Sequence, residues 1–154
     1  MELSIMLLGK GGFGVHSFGR VIRTAIMKEN PSVSVALASD YDTVVRGGIS
    51  NCHLIVSDEP CNPVVEGKPD VIIHYTASWA AVRTRDEVCY LSIPGEVTRH
   101  ISENVRGYVL LGMLVARGYL PLSKEAVLAA IEEDCKAIPI QSKNRNAFEK
   151  GFCL

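Results

Sequence analysis

A glycine-rich turn joins a continuously apolar segment to an amphipathic one near the start of the chain. Residues 3–8 are almost entirely apolar, which is typical of a strand buried on both faces of a sheet. The turn, Gly9-Lys-Gly-Gly-Phe-Gly14, matches the pattern G-x-G-x-x-G. Residues 15–29 then place apolar side chains at helical spacing. Residues 33–38 form a second apolar run, so this region predicts a right-handed βαβ unit.

Further along, apolar runs alternate with loops and then give way to helical spacing. Strands are predicted at 50–57, 70–75 and 88–93, a short helix at 78–83, helices at 104–118 and 123–136, and one more helical turn within the basic segment 141–150. No interdomain linker is visible, so residues 1–154 are predicted to form a single domain. We expect an α/β fold in three layers (α/β/α) with a mostly parallel or mixed sheet, a Rossmann-like start and a helical C-terminal third. Residues 3–8 should form a central strand.

The charge balance disfavours two broad classes of function, nucleic-acid binding and binding to anionic membranes. Sixteen Lys and Arg residues stand against seventeen Asp and Glu residues, for a formal net charge of −1. A nucleic-acid or anionic-membrane binder normally shows a basic excess.

The longest apolar run, Tyr108 to Ala116, is too short to span a bilayer and predicts a buried helix. The N-terminus lacks the basic region of a signal peptide, so we expect a cytoplasmic protein. Its 47% hydrophobic content predicts that some surface is covered by a partner or by self-association.

Cysteine and histidine spacing predicts neither a metal site nor a disulfide framework. The five cysteines lie at 52, 61, 89, 135 and 153, and the four histidines at 16, 53, 74 and 100. No C-x-x-C or H-E-x-x-H pattern occurs, so free and mostly buried thiols are expected. No Ser/His/Asp order and no convergent carboxylate pair is present either. We therefore predict no catalytic residues and no metal ligands in this chain.

The glycine turn has two interpretations. Gly9, Gly11 and Gly14 would let the backbone approach a phosphate at a helix N-terminus, and Asp40 stands near the end of the second strand, where a dinucleotide-binding fold places an acid. Asp40 follows Gly14 by 26 residues, which is later than the usual spacing of about 20. Alternatively, the glycines only permit close packing of strand and helix and bind nothing.

A second glycine pair follows the βαβ region. Gly47 and Gly48 precede the strand predicted at 50–57 and allow a bulge or a turn with positive φ. Arg46 beside them could hold a carboxylate or a phosphate through its guanidinium fork. The alternative is a structural turn with a solvated arginine.

Taken in order, these segments resemble the gamma subunits of 2-oxoacid:ferredoxin oxidoreductases. Members open with a strand and a G-x-G-G-Q-G turn, for which Phe13 here replaces the glutamine, and later carry R-G-G before a strand. The resemblance continues to the end of the chain, through Pro69-Asp-Val71, Leu111-Gly-Met-Leu114, Glu125-Ala-Val-Leu-Ala-Ala-Ile131 and Asn144-Arg-Asn-Ala-Phe-Glu-Lys-Gly151. The segment Arg46-Gly-Gly-Ile-Ser-Asn-Cys52 is most similar to the 2-oxoglutarate or branched-chain type.

The resemblance implies an accessory role in a multisubunit enzyme. Such enzymes use thiamine diphosphate to convert a 2-oxoacid oxidatively to an acyl-CoA, and iron–sulfur clusters pass the electrons to ferredoxin. The chain alone is then expected to bind none of these cofactors and to be catalytically silent, with alpha and beta catalytic subunits and a ferredoxin-like subunit as partners. The competing hypotheses are a free-standing dinucleotide-binding protein and a stand-alone scaffold domain. If a phosphate-bearing ligand such as CoA touches this subunit, it should meet the Gly9–Gly14 turn. The predicted cofactor-binding residues of the two glycine segments are Gly9, Gly11, Gly12, Gly14, Arg46, Gly47 and Gly48.

Overall fold

Six strands form one mixed sheet in the computed structural model, which describes residues 2–10, 14–40, 49–61 and 68–154. The strands are β1 (Glu2–Lys10), β2 (Ser34–Asp40), β3 (Ile49–Ser57), β4 (Val71–Tyr75), β5 (Trp79–Arg83) and β6 (Val88–Ser92). They are arranged in the order β2-β3-β1-β4-β5-β6. The α/β class is confirmed, and β1 is an interior strand as predicted.

The pairing directions differ from the expected mostly parallel sheet. Only β1 and β4 pair in parallel among the described strands, whereas β1–β3, β2–β3, β4–β5 and β5–β6 pair antiparallel. The prediction of a mixed sheet is confirmed, and that of a mostly parallel sheet is wrong. The antiparallel strand β3 lies between β1 and β2, so the two strands of the predicted βαβ unit are not neighbours. Apolar runs identify buried strands but carry no information about which strand is adjacent.

The segment predicted as a short helix at 78–83 is instead the strand β5. Ala80 and Val82 are buried while Trp79 and Arg83 are exposed, which is the alternation of a strand. Antiparallel pairing with β4 on one side and β6 on the other supplies its backbone hydrogen bonds.

Five α-helices complete the described part of the fold. They are α1 (Val15–Glu29), α2 (Gly95–Thr98), α3 (Arg106–Ala116), α4 (Lys124–Asp134) and α5 (Ile138–Phe152), with a 3₁₀ turn at Glu103–Val105 before α3. Ser123 caps α4 as predicted, since its Oγ accepts a hydrogen bond from the Ala126 N–H at 3.2 Å. The predicted single turn at 141–150 is wrong: α5 has 15 residues. No described helix is both long and apolar enough to cross a membrane.

The core lies between the sheet and the helices. Leu7, Leu54 and Ile73 project from the sheet and are fully buried, as are all residues from Val109 to Val115 of α3. The predicted buried helix at 108–116 is thus confirmed. On the opposite face of the sheet, Trp79 and Tyr90 are 37% and 72% exposed.

Helices α3 and α5 pack with their backbones almost in contact. A Cβ on Gly112 would lie 2.2 Å from the Phe148 carbonyl oxygen, and one on Gly151 would lie 1.9 Å from the Val109 carbonyl oxygen. Real Cβ atoms essentially never come so close. The two glycines therefore fix the separation of the helices that form the C-terminal third.

Candidate functional site

The glycine edge, defined here as the edge of the sheet where β1, β2 and β4 end, carries the described part of the glycine turn. β1 ends just after Gly9, and Gly14 is the N-cap of α1. Gly14 has φ 72°, in the left-handed region, where a side chain would be strained. The prediction that the turn follows the carboxyl end of a strand is confirmed.

Gly9 is required for the close approach of α1 to the sheet. A Cβ at this position would lie 2.7 Å from Val15 Cγ2, which is too close for a real contact. This supports the packing interpretation of Gly9. It does not exclude ligand binding, because the same close approach places the N-terminus of α1 at the glycine edge.

No side chain of the described residues caps the N-terminus of α1. The Gly14 carbonyl accepts the first helical hydrogen bond, from the Phe18 N–H at 2.9 Å, and the first turn contains no acidic residue. The first N–H groups of a helix have no partner within the helix and carry the positive end of its dipole. Chemically, this end of α1 suits an anion.

A cavity of about 200 Å³ opens beside this helix end. Phe18 on its wall stacks on Tyr75, with ring centroids 4.9 Å apart, so the wall is held firmly by the core. The lining comes from α1, from the segment leading into α3, and from α5: Gly14, Ser17, Phe18, Asn104, Val105, Gly107, Tyr108, Ile140 and Asn144.

Two tyrosines at this site remain protonated at neutral pH. Burial raises the pKa of Tyr108 from 10 to about 12, and the nearby Asp134 carboxylate acts in the same direction. Burial likewise raises the pKa of Tyr75, reinforced by Tyr108. A neutral phenol can donate a hydrogen bond to an anionic ligand, but a pKa raised in this way does not favour a general base.

A second cavity, of about 300 Å³, shares Val105 with the first. Lys143 and Lys150 of α5 line it together with His100. Among the described residues, no acidic side chain lines it. The second cavity is therefore cationic, and it adjoins the first at Val105.

The predicted site residues are only partly accounted for. Gly9 and Gly14 lie at the glycine edge, whereas Gly11, Gly12, Arg46, Gly47 and Gly48 lie outside the described residues. Asp40 ends β2, but β3 separates β2 from β1. Two interstrand spacings place the strands about 10 Å apart, unlike the adjacent pair of a dinucleotide-binding unit. The geometry does not favour Asp40 as a partner of the glycine turn.

Sequence reasoning missed the contribution of α5 to this site. Asn144 is buried and Ile140 exposed, and both line the first cavity. The signal was the helical spacing of Ala147, Phe148 and Gly151 with the polar Asn144, all of which are buried. It was weak because basic and amide side chains surround them.

The described residues contain no group of three or more His, Cys, Asp or Glu side chains that could hold a metal ion. All five cysteines are free thiols, but only Cys52 is buried, so the prediction that they are mostly buried is wrong. Burial raises the pKa of the Cys52 thiol, so this sulfur is a packing group and a poor nucleophile. The residues present thus do not fit an iron–sulfur cluster within the described ranges.

Comparison with known proteins gives one family. The family model described as pyruvate ferredoxin/flavodoxin oxidoreductase matches residues 4–98. No curated protein sequence gives a significant match.

Several solved structures share the fold. The gamma subunit of a keto/oxoacid ferredoxin oxidoreductase from Geobacter sulfurreducens aligns with a TM-score of 0.65 and 21% identity over 99% of this chain and 95% of that one. Pyruvate oxidoreductase subunit PORC from Thermotoga maritima aligns with a TM-score of 0.64 and 14% identity over 98% and 95%. The 2-oxoglutarate:ferredoxin oxidoreductase from Magnetococcus marinus, solved with 2-oxoglutarate, coenzyme A and succinyl-CoA, aligns with a TM-score of 0.70 and 17% identity. That alignment covers 99% of this chain but only 30% of the other.

Proposed function

Because the chain belongs to the pyruvate ferredoxin/flavodoxin oxidoreductase family, we propose that it is the gamma subunit of a 2-oxoacid:ferredoxin oxidoreductase complex. The observation that carries this proposal is the family match, which covers β1 to β6. The likeness in fold to two separate subunits over 95% of their lengths supports a subunit rather than a complete enzyme. In the complex, a 2-oxoacid would be decarboxylated oxidatively to an acyl-CoA on thiamine diphosphate.

Within such a complex, this chain would be accessory. The described residues offer no metal-binding cluster. Alpha and beta subunits would then hold thiamine diphosphate, and cluster-bearing subunits would pass electrons to ferredoxin. The chain's contribution would be to dock against them.

The test is purification of the assembled complex from its natural host through a tag on this chain. We expect thiamine-diphosphate-dependent subunits to copurify, and the complex to reduce viologen only when both a 2-oxoacid and CoA are present. The isolated chain should show no such activity. Recovery of the chain without these subunits, together with tight binding of a nicotinamide dinucleotide, would contradict the proposal and favour a free-standing dinucleotide-binding protein.

The substrate class is the finer part of the proposal. The segment from Arg46 to Cys52 is most similar to the 2-oxoglutarate or branched-chain type, so one of these acids should give the highest kcat/KM. A panel containing pyruvate, 2-oxoglutarate, 3-methyl-2-oxobutanoate and indolepyruvate separates the possibilities. A preference for pyruvate would contradict this part and leave the subunit role intact.

We also propose that a phosphate group of CoA meets the glycine edge, through Gly9, Gly11, Gly12 and Gly14 and the second glycine segment at Arg46, Gly47 and Gly48. The uncapped N-terminus of α1 and the cavity beside it support this. A Gly11→Val substitution should abolish CoA binding, because a β-branched side chain blocks the approach of the backbone.

A second variant separates binding from folding. Ser17 lies in the first turn of α1 and lines the cavity, where a carboxylate is compatible with the helix dipole but repels phosphate. Ser17→Glu should therefore weaken CoA binding to the complex by about tenfold or more, equivalent to ~1.4 kcal/mol, without lowering the melting temperature. Ser142→Glu, at an exposed position of α5, is the charge-matched control. Equal binding by both variants would contradict the proposed contact.

A further inference from the structure

Among the described strands, β6 is an open edge of the sheet. It is the last strand in the order, and β5 is its neighbour on the other side. Val88, Tyr90 and Ser92 are all exposed, the first two by 49% and 72%. The strand contains no charged residue and no proline. Exposed edge strands in soluble proteins usually carry charged residues or proline, which hinder pairing with another chain.

The hydrogen-bond pattern shows which backbone groups of β6 face outward. The Thr84 N–H donates to the Glu87 carbonyl at 2.9 Å at one end of the β5–β6 pair, and the Ile93 N–H donates to the Ser78 carbonyl at 2.8 Å at the other. In an antiparallel pair, alternate residues bond to the partner strand. The hydrogen bonds at the two ends of the β5–β6 pair give the same alternation of inward-facing and outward-facing residues.

It follows that the N–H and C=O groups of three β6 residues point away from β5. These residues are Val88, Tyr90 and Ser92, which lie opposite Arg83, Ala81 and Trp79. Among the described residues, the one contact to these groups is a long one, from Cys89 Sγ to the Tyr90 carbonyl at 3.9 Å. The edge therefore presents three donors and three acceptors.

We propose that β6 pairs antiparallel with β6 of a second copy of this chain, across a two-fold axis at Tyr90. In this register Val88 lies opposite Ser92 of the second copy, and Tyr90 lies opposite Tyr90 of the second copy. All three outward donors and all three outward acceptors are then satisfied. An interface in which the same patch meets itself is the usual arrangement of a symmetric dimer.

The side chains and the net charge also favour a second copy of this chain as the partner of β6. The side chains of Val88 and Tyr90 project from the exposed face, so the two Tyr90 rings become cross-strand neighbours, a favourable aromatic pair. Trp79, 37% exposed, stands beside Ser92 and hence near Val88 of the second copy. A net charge of −1 per chain leaves little repulsion between copies. The product is a continuous sheet of twelve strands, with the exposed faces of both copies on one side.

The test measures the mass of the full-length chain by sedimentation from low to high micromolar concentration. We expect a monomer–dimer equilibrium for the natural chain and for Tyr90→Phe. Tyr90→Lys should be monomeric throughout, because it places two ammonium groups opposite each other. Ile138→Lys is the matched control, since Ile138 is also 72% exposed but lies on α5; it should dimerise like the natural chain.

A backbone variant tests the hydrogen bonds themselves. Tyr90→Pro removes an N–H that points away from β5, so it should abolish the dimer while leaving the β5–β6 pair and the melting temperature of the monomer nearly unchanged. A natural chain that stays monomeric, or a dimer that survives both Tyr90→Lys and Tyr90→Pro, would overturn the proposal. So would association through β6 that occurs only when sister subunits are added, because the edge would then receive a strand from another protein.

Discussion

At Gly19 the absence of a side chain allows α1 to lie directly on β3. A Cβ there would lie 2.4 Å from Cys52 Sγ and 3.3 Å from Leu37 Cδ1. In a helix interior, Gly→Ala alone is stabilising by about 1 kcal/mol, but overpacking of a core costs about 1–3 kcal/mol. We expect the steric cost to dominate, so that Gly19→Ala lowers the free energy of unfolding in urea titrations.

Two companion variants make this prediction specific. At Gly107 of α3 a Cβ would make only ordinary contacts, at 3.7 Å or more, so Gly107→Ala should be neutral or stabilising. Cys52→Ala removes the obstructing sulfur, so Gly19→Ala combined with Cys52→Ala should lose less stability than the sum of the two changes. Strict additivity would show that the contact between position 19 and Cys52 is not the cause.

Single residues were predictable where the reason lies in local backbone geometry. Gly14 stands between a strand and a helix, and its positive φ follows from that position. The role of Gly19 depends on Cys52, 33 positions later, and nothing in the local pattern distinguishes such a glycine from one that faces solvent. Sequence reasoning finds the first kind of glycine and misses the second.

Among the elements, the pair α3 and α5 depends on two glycines that face each other's backbones. Gly151→Ala would place a methyl group 1.9 Å from the Val109 carbonyl oxygen, and backbone cannot move aside as a side chain can. We expect a loss of about 3 kcal/mol or more, at the upper end of overpacking costs. Thermal unfolding monitored by circular dichroism measures it.

Gly95→Ala, in α2, serves as the control for the prediction about α3 and α5. Nothing lies within 4 Å of a Cβ at Gly95, so this variant should unfold within about 0.5 kcal/mol of the natural chain. Equal stability of the Gly151 and Gly95 variants would mean that the two helices can separate without cost, contrary to the packing described.

Elements were predicted well where apolar runs are long and poorly where they are short. The 15 residues of α1 show a clear helical period. β5 has only five residues, four of them apolar, so a period of 2 cannot be separated from one of 3.6, and tertiary pairing with β4 decides the outcome. The buried stripe of α5 includes Asn144 and Gly151, which are not apolar markers, so its helix resembled a polar tail.

For the molecule as a whole, buried phenols predict a loss of stability in alkali. The pKa of Tyr108 is raised to about 12 in the fold, against about 10 in an unfolded chain. The stabilisation is therefore complete below pH 10 and is lost as the pH rises from 10 towards 12, because the unfolded chain releases its proton first. Tyr75 and Cys52 act in the same direction.

Urea titrations at a series of alkaline pH values measure this effect. Tyr108→Phe should show a shallower decline of the unfolding free energy between pH 9 and 11. Gly95→Ala, which changes no ionisable group and meets nothing within 4 Å of its Cβ, should follow the natural chain. Identical slopes for all three proteins would show that Tyr108 does not contribute.

The overall class was predictable from the order of strands and helices, whereas the topology was not. Nothing in residues 49–57 indicates that they pair between β1 and β2, since antiparallel insertion and parallel addition bury the same side chains. The antiparallel insertion of β3 also determines which residues can share the candidate site, because it separates Asp40 from the glycine turn.

The position of β3 and β4 has a consequence for the chain as it leaves the ribosome. β1 ends at Lys10, but its two neighbours begin only at Ile49 and Val71. At ~5–20 residues per second, the 65 residues between Lys10 and Tyr75 take about 3–13 s to synthesise, and β1 lacks at least one neighbour throughout. A chaperone that recognises extended apolar segments has its target in β1 during that interval. Slowed translation of the first half of the message would lengthen the exposure, and aggregation during expression should increase with it.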